Sequence, residues 1–314
     1  MGGWWPIRVF AAGRVFLGLL MALCLAPVLS LAGEDPVLRV EAPLVLIPVH
    51  LTTSLGNNVA GLDRTAFQLF EDGVEQKITH FFVEDAPVSV GLLLDVSGSM
   101  RKKIHRSAEA VAAFFKAANP EDEFFLVEFN DRARLTVPFT TEPEDVQQRM
   151  RHAGTYGRTS LFDALQLGLM EMKRAHYTRK AILVLSDGGE NRSRFTEGET
   201  RSALREAGVE LYAMGIFEGE ERPATHEERQ GPYLLTELTA DTGGQLFTVG
   251  NLNRLPEYCA RIGAGLRSQY VLGYSPANRL ADGRYHKVRV ALVPRQGMPP
   301  VTAHHRAGYY APVR

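Results

Sequence analysis

The chain has 314 residues, of which 45% are hydrophobic and 23% are charged, and its formal net charge at pH 7 is −1. These values are those of an ordinary globular protein with one or two domains. The balanced charge gives no reason to expect nucleic-acid binding. The sequence contains no internal repeat and no low-complexity tract.

Residues 1–33 have the features of a secretory signal peptide. Arg8 and Arg14 supply a positive N-terminal region, residues 15–31 are apolar and nearly uncharged, and small residues follow around Ala32. We predict cleavage near Ala32 and export to the periplasm, the cell envelope or the medium. The alternative is an uncleaved membrane anchor, because an apolar stretch of about 17 residues is close to the lower limit for crossing a bilayer.

The chain contains two cysteines, Cys24 and Cys259. Cleavage of the leader would remove Cys24, so the mature chain could form no internal disulfide. An exported protein without disulfides is more typical of a bacterial envelope than of a eukaryotic ectodomain. The helical spacing around Cys259 predicts a buried, unreactive thiol.

Residues 37–86 form a first β region with no helix of useful length. Strand-like segments occur at 37–40, 44–49, 67–70 and 77–82, and turn signals such as Glu71-Asp72-Gly73 separate them.

From Pro87 onward, strands alternate with helices, which predicts a mostly parallel sheet flanked by helices. The segment 133–139 is predicted as an antiparallel edge strand, and residues 218–231 as a polar surface loop. The predicted strands begin with the apolar run before Asp95 and continue at 123–129, 133–139, 180–186, 209–216 and 243–248. The predicted helices are 101–118, 143–152, 161–174, 197–207, 232–241 and one that ends near Leu266 with Pro256 in its first turn.

Residues 268–314 return to β character, with strands predicted at 269–274 and 285–292. Neither this segment nor residues 37–86 is large enough to bury a core of its own. We therefore predict that the two segments pair into a small β-sandwich, into which the α/β domain at 87–267 is inserted.

Oxygen-bearing side chains follow two buried strands of the predicted sheet. Asp95, Ser97 and Ser99 come directly after the first strand, and Asp187 ends the strand at 180–186. Thr159 lies in a loop between these two strands and precedes a helix. Ligands bind at the carboxyl ends of strands in open α/β sheets, and oxygen-only ligands suit a hard divalent cation.

This pattern of Asp-x-Ser-x-Ser, a loop threonine and a strand-end aspartate resembles the metal-ion-dependent adhesion site of the von Willebrand factor type A domain. The resemblance covers about residues 87–268 and implies a Rossmann-like fold. The stretch FQLFEDGVEQKITHF before it also resembles the β-rich leader of a family of bacterial exported proteins. All five positions are filled in the family's order, by Asp95, Ser97, Ser99, Thr159 and Asp187.

The resemblance implies that this site binds Mg²⁺, or else Mn²⁺ or Ca²⁺. Ser97 and Ser99 would bind the metal directly, Asp95 and Asp187 directly or through water, and Thr159 in one conformation. Neutral serine ligands leave the metal electrophilic, so a carboxylate from a partner protein would complete its coordination shell. The expected function is an exported, cation-dependent protein-binding or adhesion module that is not an enzyme; the sequence leaves its oligomeric state open.

Three other interpretations of these residues remain open. The two aspartates could be caps or turn formers after strands. Asp95 could be the nucleophile of a Mg²⁺-dependent hydrolase, although Ser97 stands where a second aspartate would be expected. The domain could also be a scaffold that binds no metal. In addition, Arg158 stands where the family has glycine before the threonine, and it could repel the metal or contact an acidic partner.

Overall fold

The computed structural model describes residues 44–217, 226–276, 282–295 and 299–313. The leader expected at 1–33 and the strand expected at 37–40 lie outside these residues. The strands and helices in chain order are β1 (Val45–Thr53), β2 (Phe67–Glu71), β3 (Val74–Gln76), β4 (His80–Glu84), β5 (Ser89–Asp95), α1 (Ile104–Ala117), β6 (Glu123–Phe129), β7 (Ala133–Thr140), α2 (Pro143–Arg151), α3 (Leu161–Glu171), β8 (Lys180–Ser186), α4 (Glu197–Ala207), β9 (Glu210–Ile216), α5 (His226–Ala240), β10 (Leu246–Val249), α6 (Leu255–Leu266), β11 (Gln269–Tyr274), β12 (Tyr285–Leu292), β13 (Val301–His305) and β14 (Gly308–Tyr310).

The central sheet has six strands in the order β10-β9-β8-β5-β6-β7. All neighbours in it are parallel except β7, which is antiparallel to β6 at the edge. β5 lies between β6 and β8, and every one of its residues is buried. Burial on both faces explains its unbroken apolar run, and it places Asp95 at the carboxyl edge of the sheet.

Helices cover both faces of the central sheet. Leu92 and Leu94 of β5 pack into a core with Phe114 of α1 and Ile262 of α6. Leu93 points to the opposite face and packs into a second core, which the sheet shares with α3, α4 and α5. Successive residues of a strand point to opposite faces, so a single strand contributes to both cores.

The described segments on either side of the α/β region form a pair of antiparallel sheets. One has the strand order β13-β1-β11-β4, and the other has the order β14-β12-β2-β3. Their shared core contains Ile47, Leu69, Leu272 and Val290, so residues from before and after the α/β region bury the same surface. The predicted fold class, an α/β domain with a β-sandwich drawn from both terminal segments, is confirmed.

The strand predicted at 77–82 begins only at His80, as β4, and residues 77–79 separate it from the short strand β3, which joins a different sheet. β3 pairs with β2, whereas β4 pairs with β11. Between them Ile78 enters the core shared by the two sheets, and Thr79 donates its backbone N–H to the carbonyl of Gly273 at 2.8 Å. The chain crosses from one sheet to the other at this point, and this crossing separates β3 from β4.

The loop predicted at 218–231 is wrong for its second part, because α5 begins at His226; residues 218–225 lie outside the described ranges. The helix predicted at 232–241 therefore begins earlier, and Pro232 lies inside α5. The residues before it are polar and show no apolar periodicity, so the sequence carried no helical signal there. Among the residues described, none of the helices combines the length and apolar character that crossing a bilayer requires.

Candidate metal centre

Asp95 is fully buried, and hydrogen bonds hold both of its carboxylate oxygens. Oδ1 accepts the backbone N–H of Ser97 at 2.8 Å, and Oδ2 accepts the hydroxyl of Ser186 at 2.6 Å. Burial, followed by the nearby Asp187 carboxylate, raises the pKa of Asp95 to about 7. The negative charge of Asp95 is therefore costly in the absence of a cation, and a bound cation would stabilise it.

Ser99 lies on a tight helical turn, Gly98–Met100, and Ser97 is the N-cap residue of that turn. Their Oγ atoms are 3.1 Å apart. Two adjacent ligands of an octahedral Mg²⁺ ion lie about 3 Å apart, because each metal–oxygen bond is about 2.1 Å. The separation of the two hydroxyls thus fits neighbouring positions on one such ion.

The loop carrying Thr159 is bound to the loops on either side. The N–H of Gly98 donates to the carbonyl of Gly157 at 3.1 Å, which joins this loop to the serine loop. On the other side, the N–H of Thr159 donates to Oδ1 of Asn191 at 3.1 Å, and the N–H of Asn191 donates to the Thr159 carbonyl at the same distance. Thr159 itself is buried.

Asp187 lies at the end of β8, as predicted, and is buried. A Cβ on Gly189 would lie 3.4 Å from Asp187 Oδ1 and 3.6 Å from Thr159 Oγ1, so both side chains face the same small space. The structure therefore brings the five predicted residues together on three contacting loops at one edge of the sheet. That they bind a metal stays a prediction.

Lys103, which the sequence pattern did not single out, reaches this site from the start of α1. Its ammonium lies 3.2 Å from Oδ2 of Asp187, and both side chains are about 95% buried, with only 5% and 4% of their surfaces exposed. Lys103 follows Arg101 and Lys102 in the sequence, so nothing in the pattern separates it from a solvated basic run.

Ser186 was also missed, although it interrupts an apolar strand directly before Asp187. Its hydroxyl donates to Asp95 and also accepts the N–H of Gly188 at 2.9 Å. It thereby links the ends of β5 and β8. The sequence did carry a sign of this role, because Ser186 is a polar residue in an otherwise apolar buried strand.

Two other groups of metal-like residues do not form comparable sites. His304 and His305 have separate partners: the first bonds the Thr52 hydroxyl at 2.8 Å, and Nε2 of the second accepts the N–H of Val290 at 3.1 Å. Pairing with separate partners agrees with the expectation that adjacent residues of a strand point to opposite faces.

Glu71, Asp72 and His286 bring three ligand atoms within 4.8 Å of one another. The Glu71 carboxylate already accepts two tyrosine hydroxyls, one of them from Tyr309 at 2.9 Å. His286 bonds Asp72 at 2.8 Å, and this hydrogen bond raises the pKa of His286. The group is thus satisfied by its own hydrogen bonds.

Residues 90–190 match the family model of the von Willebrand factor type A domain. The chain is 23% identical to an uncharacterised protein of Borreliella burgdorferi over 56% of its length and 57% of the relative's. It is 27% identical to inter alpha-trypsin inhibitor heavy chain 4 of Mus musculus, over 44% of this chain and 17% of that one. The chain thus spans less than two thirds of these relatives.

Among solved structures, the chain is similar to a von Willebrand factor type A protein from Catenulispora acidiphila. That similarity has a TM-score of 0.49 and 11% identity, and it covers 86% of this chain and 75% of the other. The protein BatB from Bacteroides thetaiotaomicron is also similar, with a TM-score of 0.45, 16% identity, and coverage of 57% and 98%.

Proposed function

We propose that the von Willebrand factor type A domain of this chain, to which residues 90–190 belong, is a divalent-cation-dependent protein-binding module. The observation that carries this proposal is the convergence of five oxygen-bearing side chains on three contacting loops, with two hydroxyls 3.1 Å apart. Because the leader predicts export, the proposed binding would occur at the cell envelope or outside the cell.

The donors fit a hard cation such as Mg²⁺, because all of them are oxygens and two are neutral hydroxyls. Ser97, Ser99 and Thr159 would offer hydroxyls, and Asp95 and Asp187 would bind directly or through water. A cation bound there would supply an electrophilic position for a carboxylate of the partner. The chain's own contribution is to orient these groups, since the hydrogen bonds to Asp95 fix the serine loop before any ligand arrives.

The burial of Asp95 supports binding rather than hydrolysis. A carboxylate nucleophile must be reachable by its substrate, but the side chain of Asp95 is fully buried. The proposal is therefore a module without catalysis of its own.

Calorimetric titration with MgCl₂ tests this proposal on the full chain and on Asp95→Asn. We expect one Mg²⁺ to bind the natural chain and the variant to lose at least about 100-fold in affinity. Asp145→Asn, which changes an exposed aspartate at the start of α2, is the matched control and should bind normally.

Three results would contradict the proposed function. If Mg²⁺, Mn²⁺ and Ca²⁺ all fail to bind the natural chain, the domain is a scaffold. If Asp95→Asn binds Mg²⁺ as tightly as the natural chain does, the metal lies elsewhere. Turnover of a simple phosphate ester that is lost with Asp95 would show a hydrolase instead.

A further inference from the structure

An arginine-rich cavity of about 460 Å³ lies beside the three loops of the candidate metal centre. It opens to solvent between the turn that joins β6 to β7, the loop before α3 and the loop that follows β8. Its lining includes Arg132, Arg134, Arg158, Arg192, Asp131 and Tyr156.

The cavity and the candidate metal centre are built from the same loops. Arg158 directly precedes Thr159, and Arg192 directly follows Asn191, whose side chain holds the Thr159 backbone. The N–H of Tyr156 donates to the carbonyl of Val96 at 2.9 Å, which fixes the cavity wall to the serine loop. A ligand that reaches the metal would therefore pass next to these arginines.

The positive charge of the cavity is available to a ligand. The lining of the cavity contains four arginines and one aspartate, Asp131. The carboxylate of Asp131 accepts the backbone N–H of Arg158 at 3.0 Å. Across the described ranges of the chain, none of the four guanidiniums lies within 4.0 Å of a carboxylate oxygen. Other arginines of this domain are paired, such as Arg149 with Glu128 and Arg205 with Asp241.

We propose that this cavity is a second anion site that selects an acidic peptide segment of the protein partner. One carboxylate of the segment would complete the coordination shell of the metal. Neighbouring carboxylates would bind Arg158, Arg192 and the other two arginines of the cavity. The inference rests on the proposed function, because it assigns the partner of that same site.

Three observations favour an acidic peptide over an extended polyanion. The guanidinium fork matches a carboxylate in two parallel hydrogen bonds. The volume of about 460 Å³ suits a few side chains rather than a long chain. The whole chain has a formal net charge of −1, so no general attraction for nucleic acid or sulfated polysaccharide is expected.

Fluorescence anisotropy with a fluorescein-labelled octaglutamate peptide, in saturating Mg²⁺, tests the inference on the full chain. We expect Arg158→Gln combined with Arg192→Gln to weaken peptide binding about tenfold. Lys77→Gln combined with Arg284→Gln, which removes two exposed charges from the β-sandwich, is the matched control and should bind like the natural chain. Added salt should reduce the difference, because charges at an exposed site are screened.

The outcomes separate this inference from the proposed function. The Mg²⁺ affinity of each variant, measured with metal alone, distinguishes loss of metal from loss of anion contact. Equal peptide binding by the natural chain and the arginine variant, with Mg²⁺ bound in both, overturns the inference and leaves the proposed function intact. A heparin hexasaccharide or a single-stranded DNA that displaces the peptide and binds more tightly would overturn it as well. Failure of the natural chain to bind octaglutamate in saturating Mg²⁺ also overturns it.

Discussion

Lys103 places a fixed positive charge where the proposed metal would bind. Its ammonium and the Asp187 carboxylate are 3.2 Å apart and both almost fully buried. A buried ion pair is costly to break when only one partner is removed, because the other charge is left uncompensated. The Lys103 ammonium therefore neutralises the charge of one of the two carboxylates in the metal-free site. A metal ion that binds there must share Asp187 with Lys103 or displace the ammonium from it.

Replacement of Lys103 by methionine should strengthen Mg²⁺ binding and weaken the metal-free protein. We expect about tenfold tighter binding, because the metal no longer competes for Asp187. The thermal midpoint without metal should fall, and Mg²⁺ should raise it by more than in the natural chain. Titration calorimetry and thermal melts with and without Mg²⁺ measure both effects.

Lys116→Met is the matched control for this prediction, because Lys116 is exposed in the last turn of the same helix. It should leave both the Mg²⁺ affinity and the metal dependence of the midpoint unchanged. Weaker Mg²⁺ binding by Lys103→Met would mean that Lys103 supports the metal site instead of competing for it.

The site residues differ in how far the sequence could predict them. Asp95, Ser97 and Ser99 lie within five positions after an apolar strand, so local pattern alone places them together. Lys103 could not be found in this way, because its burial depends on a partner 84 positions away. Contacts of this kind depend on how α1 packs against the sheet, which no local pattern encodes.

At the scale of elements, α5 supports the loop that carries Asp187 through direct backbone packing. A Cβ on Gly231 would lie 2.4 Å from the carbonyl oxygen of Asp187. Gly188 has a φ of +77°, and a Cβ there would lie 2.6 Å from the Cα of Gly231. Glycine is thus required on both sides of this contact, which helps to hold Asp187 in position.

Gly231→Ala should therefore destabilise the protein and weaken the metal site together. We expect the free energy of unfolding to fall by about 1–3 kcal/mol, because the added methyl overpacks the contact. Mg²⁺ affinity should fall as well, since the Asp187 loop must shift. Urea denaturation and titration calorimetry measure the two quantities.

Gly198→Ala provides the comparison, since Gly198 also lies in a helix but a Cβ there would meet nothing within 4 Å. Gly198→Ala should raise the free energy of unfolding by no more than about 1 kcal/mol, because alanine has a higher helix propensity than glycine. If both substitutions behave alike, the close packing of α5 on the Asp187 loop does not contribute to the site.

Some elements were predictable to the residue, as α4 and β6 illustrate. The predicted helix at 197–207 and strand at 123–129 coincide with Glu197–Ala207 and Glu123–Phe129. The break between β3 and β4 was not predictable, because it depends on which sheet each short strand joins. Local sequence reports that a segment is extended, but not which strand it pairs with.

At the scale of the molecule, the chain leaves and re-enters its β-sandwich beside Arg179. This arginine, whose side chain is 11% exposed, donates from its guanidinium to the carbonyl of Ala86, just before β5, and to the carbonyl of Leu266, at the end of α6. It also donates to Oε1 of Gln269 in β11 at 2.9 Å. One side chain from the α/β domain thus joins both connections to the sandwich.

The sequence predicted that the terminal segments pair, since each was too small to fold alone. It could not predict how the connections are fastened, because Arg179 is 93 positions from Ala86 and 87 from Leu266. Its role follows only from the three-dimensional placement of the start of β8 next to both connections.

Arg179→Met should separate the unfolding of the two parts of the molecule. The substitution keeps an apolar side chain of similar length but leaves two backbone carbonyls without their donors. We expect the free energy of unfolding to fall by about 2–4 kcal/mol, because each orphaned buried group costs about 1–3 kcal/mol. Scanning calorimetry should then resolve two transitions where the natural chain gives one.

Arg174→Met tests whether loss of an arginine near β8 is sufficient for this effect. Arg174 is 74% exposed and pairs with Glu171 at 3.1 Å. An exposed pair contributes about 1 kcal/mol or less, so this variant should keep a single transition at nearly the natural midpoint. A single unshifted transition in Arg179→Met as well would mean that packing between the sandwich and the α/β domain couples them without this arginine.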